Sequence, residues 1–232
     1  IVPLIAHKSK KGTRDEVPYI QLTYRSSLLF GLAASLGLVL VMPYANTLLF
    51  KTDALSPVLM LYVLQIIWLS IILTFTSILQ GYGKLKVPTY FLLGALTLKI
   101  AGNLLFIPLF GILGVAVASN IGLCICALLL MYYLKKLKGI QLATGNFYRK
   151  LFLASMSMAV VVVLVAVLLN SVTDFSSVRM QAVVYSAVLI LLGACTFITV
   201  AAKLQILSVR EWFIIPFGRK MATYQLWLNK KK

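Results

Sequence analysis

Acidic side chains are almost absent: 5 Asp and Glu stand among 232 residues, together with a single His. Asp15 and Glu16 adjoin in the first basic segment, Asp53, Asp174 and Glu211 stand alone, and none lies inside a long apolar run. This excludes the paired carboxylates of acid–base catalysis, and with only His7 near the start it excludes Ser/His/Asp and His-based metal constellations. No Gly-rich loop with phosphate-cradling spacing is present. Charge of either sign is scarce, at 12% of residues, against about 25% in an ordinary soluble domain. Cysteine is scarce too. Cys124 and Cys126 are two apart and point to different faces of a helix, and Cys195 lies in another apolar run, so no disulfide or metal spacing arises. These absences predict a protein that is not an enzyme and that needs no metal or cofactor.

Apolar length takes the place of these signals. Hydrophobic residues make up 61% of the chain and its mean hydropathy is +0.99. A helix rises about 1.5 Å per residue, so about 20 apolar residues cross a hydrocarbon core of about 30 Å. Six stretches reach that length: Leu28–Phe50, Pro57–Leu79, Val87–Leu109, Ile112–Leu134, Leu151–Asn170 and Ala182–Ala202. They are apolar all round, as suits lipid or a packed bundle. The fold class expected is an all-α integral membrane protein with six transmembrane helices. Its organisation reads as a basic N-terminal segment (1–27), a four-helix bundle (28–134), a basic loop (135–150), an accessory helix pair (151–202) and a basic, aromatic tail (203–232). Ile1–Ala6 is apolar and runs straight into His7-Lys8-Ser9-Lys10-Lys11, which reads as the end of an upstream helix in a longer protein.

The 22 Lys and Arg give a net charge of +17, but they fall between the apolar runs, which points to anionic lipid headgroups and away from nucleic acid. If 7–27 is cytoplasmic, 19 basic residues fall on the cytoplasmic side and only Lys51 and Arg179 outside. That asymmetry predicts a multi-pass protein of the cell membrane with both ends of this chain inside.

Lys99 is the remaining basic residue, thirteenth of 23 positions in its span. A Lys at that depth costs about 2.5–3.5 kcal/mol on insertion scales and normally faces a cavity or a partner. Leu92, Ala95, Gly102, Asn103 and Phe106 share its face, and no span carries a carboxylate to pair with it. Lys99 and Asn103 are therefore candidates to line a substrate cavity. Gln65 and Gln80 join them from the second span, where they lie with Thr76 on one face. Ser70, Thr74 and Ser77 form a separate stripe, expected to pack against a neighbouring helix. Gly114, Ala118 and Gly122, like Ser27, Gly31 and Ser35, repeat at four-residue spacing and are expected to be close-packed seams. Pro43 and Pro108 are positions where a helix can kink or break. In the tail, Trp212, Phe213, Phe217, Tyr224 and Trp227 alternate with Arg210, Arg219, Lys220 and Lys230–Lys232, a composition suited to the headgroup zone, with an interfacial helix expected after Pro216.

Several of these segments resemble a known family. Ile78-Leu79-Gln80-Gly81-Tyr82-Gly83-Lys84 with Val87-Pro88 is similar to a helix-end motif of flippases related to stage V sporulation protein B and MurJ. Leu98–Asn103, Leu105–Pro108 and Gly111–Ala116 resemble that family's eleventh helix and the turn after it, Ala45–Phe50 the outer end of its ninth, and Val2–Ile5 the end of its eighth. The resemblance implies the multidrug/oligosaccharidyl-lipid/polysaccharide exporter superfamily, whose 14 helices form two lobes around a cavity. This chain would supply helices nine to fourteen, partnered by a missing N-terminal lobe. It further implies a cargo of undecaprenyl-pyrophosphate-linked saccharide, with Lys99 facing the anionic headgroup. A drug or cation antiporter of the same superfamily is an alternative, although it would be expected to carry an acid within a span. A non-transporting membrane scaffold is another.

The orientation is directly testable. In a Cys-free background, single cysteines at Lys51 and Ser177 should react with an impermeant thiol reagent in intact cells, and those at Gly83 and Gly139 only after permeabilisation. Labelling at Gly83 in intact cells would reverse the whole topology.

Overall fold

A computed structural model describes residues 16–172, 178–214 and 218–229. The apolar stub at Val2–Ile5, the basic cluster Lys8–Arg14, Ser177, Pro216, Phe217 and Lys230–Lys232 lie outside the described residues. The elements are α1 (Val17–Phe50), α2 (Ser56–Val63), α3 (Gln65–Gly81), α4 (Lys86–Phe110), α5 (Ile112–Lys138), α6 (Gly145–Val172), α7 (Val178–Lys203), α8 (Val209–Ile214) and α9 (Gly218–Asn229). Among the described residues, six stretches are long and apolar enough to cross a membrane, with α2 and α3 together forming the second.

Each expected span but the second, which α2 and α3 share, lies within one helix, but the helices outlast the hydrocarbon. α1 has 34 residues, about 51 Å at helical rise. Arg25, expected in the first basic loop, is therefore helical. The loop expected at 135–150 likewise shrinks, because α5 continues to Lys138 and α6 begins at Gly145. Lys135 and Lys136 close α5 where the partial negative charge of a helix end favours cations.

By contacts the chain forms two units: one takes the chain up to Ser35 and Pro57–Leu142, the other Leu36–Ser56 and Ala143 onward. This division differs from the blocks read off the sequence, since the second half of α1 is grouped with α6 and α7.

In the first unit, two seams set the packing. The Ser27–Gly31–Ser35 stripe of α1 meets the Ser70–Thr74 stripe of α3. Ser27 and Thr74 share a hydroxyl–hydroxyl hydrogen bond, and a Cβ at Gly31 would collide with the Ser70 hydroxyl. Tyr24 stacks on Phe75 with centroids 5.6 Å apart. The second seam joins α4 and α5 across a one-residue turn at Gly111, whose φ of 58° is open to glycine. A Cβ at Gly102 would lie 2.9 Å from that of Ala118, one at Gly122 3.0 Å from the Ala95 carbonyl, and one at Gly114 would strike the Phe106 carbonyl. α4 is the least buried of the six spans, and this seam is its main contact.

The second span is broken between α2 and α3, at Leu64. Neither proline nor glycine lies there, whereas α1 runs through Pro43 and α4 through Pro108 without interruption. The break is instead held by side chains from neighbouring helices. The Asn120 amide donates to the Leu61 carbonyl at 2.7 Å, and the Ser35 hydroxyl donates to the Val63 carbonyl at 3.2 Å. The backbone bond across the interruption is a tightened one, from Ile67 N–H to the Leu64 carbonyl at 3.3 Å.

In the second unit, Met158 of α6 lies against Gly193 of α7 and Gly37 of α1. Asn46 donates to the Ser56 hydroxyl at 3.0 Å, and buried Tyr185 donates to the Leu169 carbonyl at 2.7 Å. The tail forms the short helices α8 and α9, folded back onto α7.

Two substitutions test this packing in detergent. Ala118 is 2% exposed, so Ala118→Leu should cost about 1–3 kcal/mol, as overpacking does, and lower the thermal midpoint. Ala101→Leu, the same change on an exposed position of α4, should leave it unchanged. Asn120→Leu should cost about 1 kcal/mol by removing the donor to Leu61. An unchanged midpoint for Asn120→Leu would mean that the backbone alone sets the break.

Candidate functional site

The contacts of the first unit set a common level across its helices. Asn120 reaches the Leu61 carbonyl and Ser35 the Val63 carbonyl. The Gly102–Ala118 approach brings Asn103 to within about a turn of Ser119 along the bundle axis. Gln65 opens α3 directly below the break. Polar groups from α1, the α2–α3 break, α5 and α4 thus share one layer of the unit.

Three atoms in that layer are buried without a hydrogen-bond partner: Gln65 Nε2, Asn103 Oδ1 and Ser119 Oγ. Thr76 Oγ1, on the Gln65 face but 11 residues on, is another. Such groups are costly in an apolar medium until water, a ligand or another polar group meets them. They are neutral hydrogen-bonding groups, with donors and acceptors both represented. They can hold hydroxyls, amides or water, and they offer no group for acid–base or nucleophilic chemistry at ordinary pH.

Lys99 stands one turn from Asn103 on α4. Its backbone N lies 3.7 Å from where a Gly122 Cβ would sit, which puts its Cα in the α4–α5 seam. The side chain is half-buried and has no hydrogen-bond or ion-pair partner among the described residues. Lys99 and Asn103 are therefore brought together on one face. Gln65 belongs to the same layer from a different helix. Gln80 does not join them: it is exposed at the far end of α3.

The Gln80 segment makes a helix stop. Lys84 N–H bonds the Leu79 carbonyl and Gly83 N–H the Gln80 carbonyl, each at 2.9 Å, with Gly83 at φ 72°. This is the paired 6→1 and 5→2 pattern that ends helices at a left-handed glycine. The Tyr82 hydroxyl beside it donates to Glu16 Oε1 at 3.2 Å. Burial first, then the Glu16 charge and this hydrogen bond, push the Tyr82 phenol well above its ordinary range, so it stays a neutral donor. The motif that carries the family resemblance therefore ties the end of α3 to the start of α1.

An open groove of about 460 Å³ lies beside the break, between α2–α3 and α5. Leu61, Leu64 and Trp68 face Val117 and Ile121 across it, and Asn120 is the polar residue on its wall. Both hydrogen bonds donated by the Asn120 amide are spent on backbone carbonyls, those of Leu61 and Ala116. The groove is thus apolar in effect.

Sequence reasoning missed Ser119 and Asn120. Their signal was two adjacent polar residues inside the fourth span, next to the Gly114–Ala118–Gly122 stripe.

Comparison with known proteins agrees with this architecture. The uncharacterized membrane protein YabM of Bacillus subtilis (strain 168) is 25% identical over 197 residues, which cover 85% of this chain and 37% of that relative. The chain thus spans well under half the length of the curated relative it matches. The family model described as lipid II flippase MurJ matches residues 1–201. That match runs through α1 to α6 and all but the last two residues of α7, and the chain belongs to the lipid II flippase MurJ family.

Proposed function

We propose that the protein carrying this chain is a flippase that moves a lipid-linked oligosaccharide, such as an undecaprenyl-pyrophosphate-linked cell-wall or polysaccharide precursor, to the outer leaflet. The observation that carries this reading is the family match through residues 1–201. It is a transport function and requires no chemical step, in keeping with a polar layer of amides and hydroxyls. On this reading the chain is the C-terminal lobe of a 14-helix exporter of the multidrug/oligosaccharidyl-lipid/polysaccharide type. The other lobe completes the cavity, and the basic ends of the helices face the cytoplasm. Lys99 supplies positive charge toward a pyrophosphate, while Asn103 and Gln65 offer hydrogen bonds to polar groups of the cargo.

Complementation of a bacterial strain depleted of its own lipid II flippase tests this in the full-length protein, with expression measured for each variant. Wild type should restore growth, and failure at normal expression would remove the lipid II reading. Lys99→Ala and Lys99→Gln should lower transport about tenfold, the size of one lost charge-assisted contact of ~1.5 kcal/mol, without harming insertion. Lys99→Arg should keep part of the activity, and Lys99→Glu should be the most harmful because it repels a pyrophosphate. Full activity of Lys99→Ala would leave the flippase reading standing and end the headgroup role of Lys99.

A further inference from the structure

The tail that follows the last span is a folded element with two unlike faces. α7 has 26 residues, about 39 Å at helical rise, so its last turn at Lys203 emerges from a core of about 30 Å into the headgroup zone. The chain turns sharply there, with Gln205 at φ 50° and Ile206 N–H bonded to the Ala201 carbonyl. Ser208 and Glu211 then cap α8 reciprocally: Ser208 N–H donates to Glu211 Oε2 at 2.6 Å, and Glu211 N–H to Ser208 Oγ at 3.3 Å. α9 returns along it. Gly218, Ala222 and Gln225 form its inner face, all buried, with the Gln225 amide donating to the Leu207 carbonyl at 3.2 Å. A Cβ at Gly218 would collide with the Trp212 carbonyl, so this contact admits little else.

At 100° per residue the opposite face of α9 presents Lys220, Thr223, Tyr224 and Trp227, with Arg219 and Leu226 on its flank. Tyr224 and Trp227 stack with centroids 6.2 Å apart, and Trp227 is 58% exposed. Phe213, 57% exposed, lies in the last turn of α8, and Arg210, Arg219 and Lys220 are exposed as well. Glu211 is the acid among the described residues of this tail, and its carboxylate is engaged in the cap. A surface that combines exposed indole and phenyl rings and a half-buried phenol with exposed cations at the end of a membrane span matches a bilayer interface with anionic headgroups.

We infer that α9 lies on the membrane surface with its Lys220–Tyr224–Trp227 face seated among anionic phospholipid headgroups, and that α8 and α9 form a lipid-reading element built onto the end of α7. The inner face fixes the orientation of this element, so the basic and aromatic groups meet the leaflet without an ordering cost for the helix. The inference is independent of which cargo the protein moves.

The full-length, Cys-free protein carrying Thr223→Cys with an environment-sensitive fluorophore tests it in nanodiscs of phosphatidylcholine, with and without phosphatidylglycerol. Phosphatidylglycerol should blue-shift the emission and reduce acrylamide quenching about threefold, and high salt should reverse both as the screening length shrinks. The pair Arg219→Gln and Lys220→Gln should abolish the response. The pair Arg219→Lys and Lys220→Arg, which keeps the charge and leaves the inner face untouched, should retain it. Identical emission and quenching in the two lipids would overturn the inference. So would protection that survives loss of both charges, which would mark burial against protein or acyl chains. An equal shift produced by inorganic phosphate in pure phosphatidylcholine would assign the face to a soluble anion and overturn the lipid source.

Discussion

A carbonyl inside a bilayer has no water to bond, so every interruption of a membrane helix needs a donor supplied from within the protein. The break at Leu64 meets that requirement through Asn120 and Ser35, and much of the first unit follows from it. Asn and Ser are short side chains. They reach a neighbouring backbone only if the helices approach closely, and close approach requires residues without bulk at the crossings. Gly31 supplies this between α1 and α3, where any Cβ would strike Ser70. Gly102, Gly114, Ala118 and Gly122 supply it between α4 and α5. The α1–α3 seam thus brings Ser35 within range of a freed carbonyl, whereas the Asn120 bond joins α5 to α2 directly and the α4–α5 seam packs behind it.

Much of this was legible in the sequence, in the parts that local pattern controls. Span number and position follow from apolar length. The Ser27–Gly31–Ser35 and Ser70–Thr74 stripes were each readable as packing faces, although only the structure pairs them with each other. The break was not legible, because Leu-Tyr-Val-Leu-Gln over 61–65 contains no helix breaker. Its cause lies in two residues about 30 and 55 positions away in the chain, and no window of local propensity contains such a cause. The prolines, read as places where a helix can kink or break, do not break the helices they lie in. Pro43 and Pro108 lack a donor, yet both sit in helices that continue through them. Helix ends were set too short because hydropathy marks the hydrocarbon, whereas a helix continues into the headgroup zone wherever its backbone is still satisfied.

The candidate site was legible in its cation and obscure in its neutral groups. Lys99 stands out by charge alone. Ser119 and Asn120 became visible only once the level of the break was known, and Gln80 left the group once the end of α3 was seen to be a helix stop. The layer that results has a consistent chemistry, of amides and hydroxyls without acids or imidazoles. Such a layer can exchange hydrogen bonds among alternative partners at little cost, which suits a protein whose proposed work is to admit and release a polar group.

The placement of Lys99 sharpens what that layer must accommodate. Helical side chains lean toward the helix N-terminus, so from position 99 the ammonium is directed toward Ala95 and the Lys86 end of α4. Thirteen residues separate Lys99 from Lys86, about 20 Å along the axis. A four-carbon stem bridges only about a third of that distance, so snorkelling to the basic end falls well short. The seam gives no relief from within, because the α5 positions opposite are Ala118 and Gly122, and Lys99 has no partner among the described residues. On the proposed reading, a charge at this depth with no partner among the described residues is met by water or by an anionic group of the cargo. Its insertion cost, about 2.5–3.5 kcal/mol, is the cost that the headgroup contact proposed for Lys99 has to offset.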